Sequence, residues 1–88
     1  MERKRVVVHG FVQGVGFRYT VRREASRRGL AGWVRNQADG TVEAVFEGEA
    51  EDIAALVRFC DEGPRGARVE RVEAVREEPE GLSDFRIS

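Results

Sequence analysis

Ala31-Gly32-Trp33-Val34-Arg35-Asn36-Gln37-Ala38-Asp39-Gly40-Thr41-Val42-Glu43-Ala44-Val45-Phe46-Glu47 is the stretch on which the fold turns. Two strand-forming runs, 31–38 and 41–47, flank Asp39-Gly40, the strongest short hairpin signal a sequence carries. A two-residue turn would set Val34 opposite Val45, whereas a three-residue Ala38-Asp39-Gly40 loop, with Gly40 as a left-handed bulge, sets it opposite Ala44. The second is preferred. It gathers Val34, Val42, Ala44 and Phe46 on one face, and register follows the pairing that buries the apolar set together. Trp33 adjoins this apolar set and is expected to pack with it.

Upstream of the hairpin, Arg5 to Val12 is rich in valine, and Val6, Val8, Gly10 and Val12 share one face of a strand. Gln13-Gly14-Val15-Gly16 then breaks the period as a tight loop. From Phe17 the spacing becomes four, with Phe17, Val21 and Ala25 on one side of a helix, until Gly29 stops it and Leu30 folds back onto it. Arg22-Arg23 and Arg27-Arg28 make its outer surface cationic, which is usually a solvated face. Downstream, Ala50 to Glu62 reads as a second helix, with Ile53, Leu56, Val57 and Cys60 on one stripe, acids in the first turn and Gly63-Pro64 as the stop. Val69, Val72, Ala74 and Val75 do not fit a period of two, so the fourth strand either holds a bulge near Glu70 or begins at Arg71. Phe85 to Ile87 supplies a short edge strand.

The order is therefore β-α-β-β-α-β. It belongs to the α+β class as a ferredoxin-like sandwich, with an antiparallel sheet and two helices on one face. Right-handed crossovers make the first two strands point the same way, with the third between them. The glycine loop after strand one and Arg35-Asn36-Gln37 at the end of strand two then share one edge of the sheet, two strand spacings or ~10 Å apart.

The chain's 88 residues support one core, with a folded surface of about 5,200 Å², and residues 1–88 are read as a single domain. No apolar run approaches the length of a membrane span or of a secretory signal, so a cytoplasmic protein with no membrane partner is expected, as a monomer. Fifteen basic residues against sixteen acidic ones leave a net charge of −1, and no basic field exists to draw in nucleic acid. One cysteine and one histidine exclude an internal disulfide and a metal cluster. Cys60 lies on the apolar stripe of the second helix and is expected in the core. His9, a lone imidazole on the side of strand one opposite Val8, is given no catalytic role.

Gln13-Gly14-Val15-Gly16-Phe17-Arg18 joins a strand to a helix start, where successive amides lack intrahelical partners and the helix dipole favours a negative charge. Gly14 and Gly16 let several N–H groups converge, which makes the segment an anion cradle. Arg18 stands beside it with a planar fork suited to a phosphate. A dinucleotide fingerprint would need glycine where Tyr19 stands, and a Walker loop would need a Gly-Lys-Ser/Thr triplet that the chain lacks. From spacing alone, a strain-relieving turn beside a solvated arginine is an equal reading. Asn36 by itself reads as a polar residue that bonds the turn backbone.

Val8-His9-Gly10-Phe11-Val12-Gln13-Gly14-Val15-Gly16-Phe17-Arg18, followed by Gly29-Leu30-Ala31-Gly32-Trp33-Val34-Arg35-Asn36 and Asp39-Gly40-Thr41-Val42-Glu43, closely resembles the acylphosphatase family. The resemblance runs on through Gly63-Pro64 and Ala67-Arg68-Val69 to Phe85-Arg86-Ile87. Phe11 departs from the family's usual basic residue, which bears on substrate access. The resemblance implies a metal-independent, cofactor-free enzyme that hydrolyses the carboxyl-phosphate anhydride of acyl phosphates. Its substrate would be a small acyl phosphate, and inorganic phosphate its product and competitive inhibitor. It also implies that Arg18 and the amides of Gln13, Gly14, Val15, Gly16, Phe17 and Arg18 bind the phosphate, while Asn36 orients the attacking water. The alternative is a ferredoxin-like module that binds a phosphate or small molecule, or regulates, without catalysis.

Overall fold

In the computed structural model, which describes residues 1–88, the hairpin closes through the three-residue loop. Val34 pairs with Ala44 and Asn36 with Val42. Gln37 N–H donates to Thr41 O at 2.9 Å and Gly40 N–H to Gln37 O at 3.1 Å, with Gly40 at φ 92°. Asp39 Oδ1 accepts from the Thr41 hydroxyl at 2.7 Å and from its amide at 3.0 Å. These bonds hold the Asp39 carboxyl below the usual carboxylate range.

The elements are β1 (Glu2–Phe11), α1 (Phe17–Arg27), β2 (Ala31–Asn36), β3 (Val42–Gly48), α2 (Ala50–Glu62), β4 (Arg68–Glu77) and β5 (Phe85–Ile87). The sheet order is β4-β1-β3-β2-β5. Its first four strands are antiparallel, as expected from the topology. β5 instead runs parallel to β2, so the sheet as a whole is mixed. The chain leaves β4 and crosses the sheet before entering β5, and a crossover of that kind permits parallel pairing.

Both helices cover the same face. Phe17, Val21 and Ala25 of α1 and Ile53, Leu56 and Cys60 of α2 form one buried cluster with Val6, Val8, Val12, Val34, Val42, Ala44 and Phe46. The accessible surface is 5263 Å², in line with the value expected from chain length. Burial pushes the Cys60 thiol up to about 12, which leaves it inert. α1 ends as the sequence indicates: Leu30 N–H donates to Ala25 O at 2.9 Å and Gly29 N–H to Ser26 O at 3.0 Å, a Schellman closure with Leu30 buried behind it.

The irregularity in the fourth strand is a bulge at Glu70. His9 pairs with Arg71 and Gly10 with Val69, leaving Glu70 without a partner. Gly10 is required there, since a Cβ at its φ of +129° would sit 2.1 Å from Arg68 O.

The face away from the helices carries an outward-facing aromatic ring and a network of ion pairs. Trp33 does not join the core. Because Val34 points inward, Trp33 points outward, where the guanidinium carbons of Arg5 and Arg35 lie 5.6 and 4.9 Å from its ring centre. Glu47, on the central strand, is fully buried and pairs with the equally buried Arg3 at 2.7 Å. Its carboxylate also accepts the backbone N–H groups of Glu80, Gly81 and Leu82 at 2.8, 3.0 and 3.0 Å, so the β4–β5 connection is pinned across the sheet. Burial raises the Glu47 carboxyl, but these amides and Arg3 outweigh it and hold the group below its ordinary range.

Glu47→Ala leaves Arg3 buried without this partner and should cost about 3–5 kcal/mol in urea unfolding. Because Glu47 titrates lower in the folded state than in the unfolded chain, its contribution is present above the ordinary carboxylate range. It is lost as pH falls through the folded value. Glu47→Gln should accordingly lose less stability than the native chain over that acid interval.

Candidate active site

The loop between β1 and α1 is anchored from beneath and open above. Val12 and Phe17 are buried and Val15 packs against the same cluster, which fixes the backbone of the turn. Gly14 and Gly16 both take φ 76°. Gly16 is the N-cap of α1 in the left-handed region, with no side chain capping the helix. The first turn closes with Thr20 N–H donating to Gly16 O at 3.1 Å, and no backbone carbonyl accepts the N–H groups of Gly14 through Tyr19. Most helix starts satisfy these donors with a Ser, Thr, Asp or Asn side chain. Here a curled row of amides stays available at the positive end of the dipole.

Arg18 stands in that first turn, half-buried. The ion pairs of α1 join Glu24 to Arg27 and Arg28, and Arg28 to Asp52. Arg18 takes part in none of them. Arg22 lies over the Tyr19 ring at 5.5 Å. The charge of the helix's last turn is therefore largely answered within the protein, while that of Arg18 is not.

Asn36 ends β2 on the same side of the strand as Gly32 and Val34, the side the helices cover. It shares a row with Val42 of β3 and Val8 of β1, the two-strand separation anticipated from the topology. It is exposed. It does not bond the turn backbone, a task that falls to Asp39 and to Gln13.

Gln13 has a part that the sequence did not reveal. Its side-chain amide donates to Gln37 O at 2.7 Å and to Thr41 O at 3.0 Å, clamping the glycine loop to the base of the β2–β3 turn. Its side chain is a brace. The signal in the sequence was slight: a long donor side chain at the mouth of a loop with no acceptor close by in the chain.

The fold and this site define a small α+β domain in which an uncapped helix start stands beside the end of the sheet. A family model for acylphosphatase matches residues 4–87. An acylphosphatase from Thermococcus kodakarensis is 55% identical over 80 residues, covering 91% of this chain and 88% of that protein. One from Rubrobacter xylanophilus is 62% identical over 78 residues, covering 89% of this chain and 70% of that protein. The crystal structure of acylphosphatase from Bacillus subtilis superposes with a TM-score of 0.97 at 39% identity, over 100% of this chain and 99% of that one. The chain belongs to the acylphosphatase family, and its activity is the family's: hydrolysis of an acyl phosphate to a carboxylate and inorganic phosphate. That decides for the enzyme over the non-catalytic binding module.

Gln13→Leu removes both brace bonds at similar bulk. Since misplacing a reacting group by about 1 Å can cost ~10²-fold, turnover should fall by about tenfold to a hundredfold. Gln13→Lys, which can donate to both carbonyls, should recover part of it. Steady-state kinetics of the two variants, with thermal melts to confirm folding, make the check.

Proposed function

We propose that the amides of Gln13, Gly14, Val15, Gly16, Phe17 and Arg18, together with the Arg18 guanidinium, hold the phosphoryl group of the substrate, and that Asn36 orients the water that attacks it. The observation that carries this reading is the uncapped row of N–H groups beside an arginine without an ionic partner. The brace from Gln13 to Gln37 and Thr41 supports the pairing of the two halves, because it ties the cradle to the strand end that bears Asn36.

The chemistry asks little more. An acyl phosphate carries a good leaving group, so the barrier falls mainly through alignment and through neutralising the equatorial oxygens. The water oxygen forms a bond to phosphorus, and the bond to the acyl oxygen breaks with its electron pair going to the carboxylate. The water's proton passes to a phosphate oxygen of the substrate, so no dedicated base is needed. The proposal routes no step through a metal ion or cofactor. We further propose that residues 1–88 act as one domain, as a monomer in the cytoplasm with no nucleic-acid or membrane partner. In support, no helix is long and apolar enough to cross a membrane, and the outer sheet face is laced with carboxylates.

Arg18→Ala should abolish competitive inhibition by inorganic phosphate in an assay run in EDTA, and Arg18→Lys should restore little, since an ammonium lacks the two-pronged contact. Unchanged inhibition would take Arg18 out of the site. Asn36→Ala should lower turnover by ~10²-fold while phosphate inhibition stays nearly intact. A large loss of inhibition in that variant would contradict the division of labour.

A further inference from the structure

The phosphate loop recognises only what all acyl phosphates share, so any preference among them must come from a surface beside it. In-line displacement states where that surface lies. The leaving group departs opposite the incoming water. If Asn36 delivers water from β2, the acyl group must leave on the far side of the loop. In the strand order β4-β1-β3-β2-β5, that is the side of β4.

A cavity of about 440 Å³ lies there, lined by Phe11, Gly66, Ala67 and Arg68. Phe11 is the last residue of β1 and pairs with Arg68 across the sheet. The residue is 63% exposed, an uncommon position for a phenylalanine at the mouth of an anion site. Two residues separate it from Gly14, a span of at most ~11 Å, within reach of an aromatic acyl group attached to the bound phosphate. The opposite wall is held at the same end of the molecule. Ala67 and Val69 pack on the cluster that seats Val15 and Phe17, and a Cβ built on Gly63 would touch Phe17 Cε2 at 3.5 Å. The guanidinium of Arg68 enters no ion pair, so its aliphatic stem is available as a further apolar wall.

We infer that this cavity is the acyl subsite and that Phe11 makes it selective for apolar acyl groups of benzoyl size, which stack on its ring. The inference rests on the assignment of the water to Asn36, because that assignment fixes the direction of departure.

The test compares kcat/KM for benzoyl phosphate and for acetyl phosphate in the native enzyme and in Phe11→Ala and Phe11→Leu. The intrinsic reactivities of the two substrates cancel when their ratio is compared between variants. Phe11→Ala should cut the benzoyl-to-acetyl ratio about tenfold, the scale of one aromatic contact in an apolar pocket, and Phe11→Leu should cut it less. A ratio that is the same in Phe11→Ala as in the native enzyme overturns the subsite. Inhibition by inorganic phosphate, measured alongside, reports on the loop itself, and turnover of Asn36→Ala reports on the water. A failure of either of those readings is therefore distinguishable from a failure at Phe11.

Discussion

The pairing of Val34 with Ala44 is the constraint from which both the core and the site follow. Side chains alternate along a strand, so a slip of β2 by one residue would turn Val34 out of the core. It would also turn Asn36 from the side of the sheet where α1 begins to the opposite one. The three-residue loop with Gly40 at φ 92° enforces the register locally, and burial of the apolar set enforces it globally. Asn36, whose side chain has no partner of its own, is thus positioned by hydrophobic burial elsewhere on its strand.

The two faces of the sheet divide the work. The helix-covered face carries the core and, at one end, the cradle and Asn36. The other face is closed by ions. Arg3 and Glu47 are buried together, Glu43 bridges Arg5 and Arg35, and Glu77 bridges Arg3 and Arg5. Buried ion pairs of this kind add little net stability against an apolar alternative and much against loss of one partner. Their evident structural effect is positional: the Glu47 carboxylate takes three successive amides and so routes the chain from β4 across to β5.

At the start of α1 the protein forgoes stability. Relative to glycine, a capping side chain is worth a few tenths of a kcal/mol at such a position, and Gly16 supplies none. Such a side chain would occupy the amides that the proposed phosphate contact needs free. The cost is borne by burial of Val12 and Phe17 on either side, with Val15 packed between them, which holds the turn in shape without consuming its N–H groups. A local rule is broken where the chemistry needs it broken.

Most of the fold was legible in the chain. The bounds of α2, the stop at Gly29 with Leu30 behind it and the hairpin register follow from periodicity and turn chemistry, which act over a few residues, whereas the broken period near Glu70 left a bulge and a later strand start equally open until the pairing with β1 decided for the bulge. The glycine turn was legible for the same reason: Gly14 and Gly16 are neighbours in sequence, and both take the left-handed φ that such a turn requires. Tertiary structure alone decided the rest. Gln13 reaches acceptors at Gln37 and Thr41, Glu47 reaches amides at Glu80 through Leu82, and Phe11 faces Gly66 to Arg68. Trp33 and the parallel direction of β5 belong to the same group. A one-dimensional pattern shows which face a residue occupies, but what stands opposite it depends on how distant segments pack. A buried glutamate and a solvated one look alike until the chain that covers them is in place.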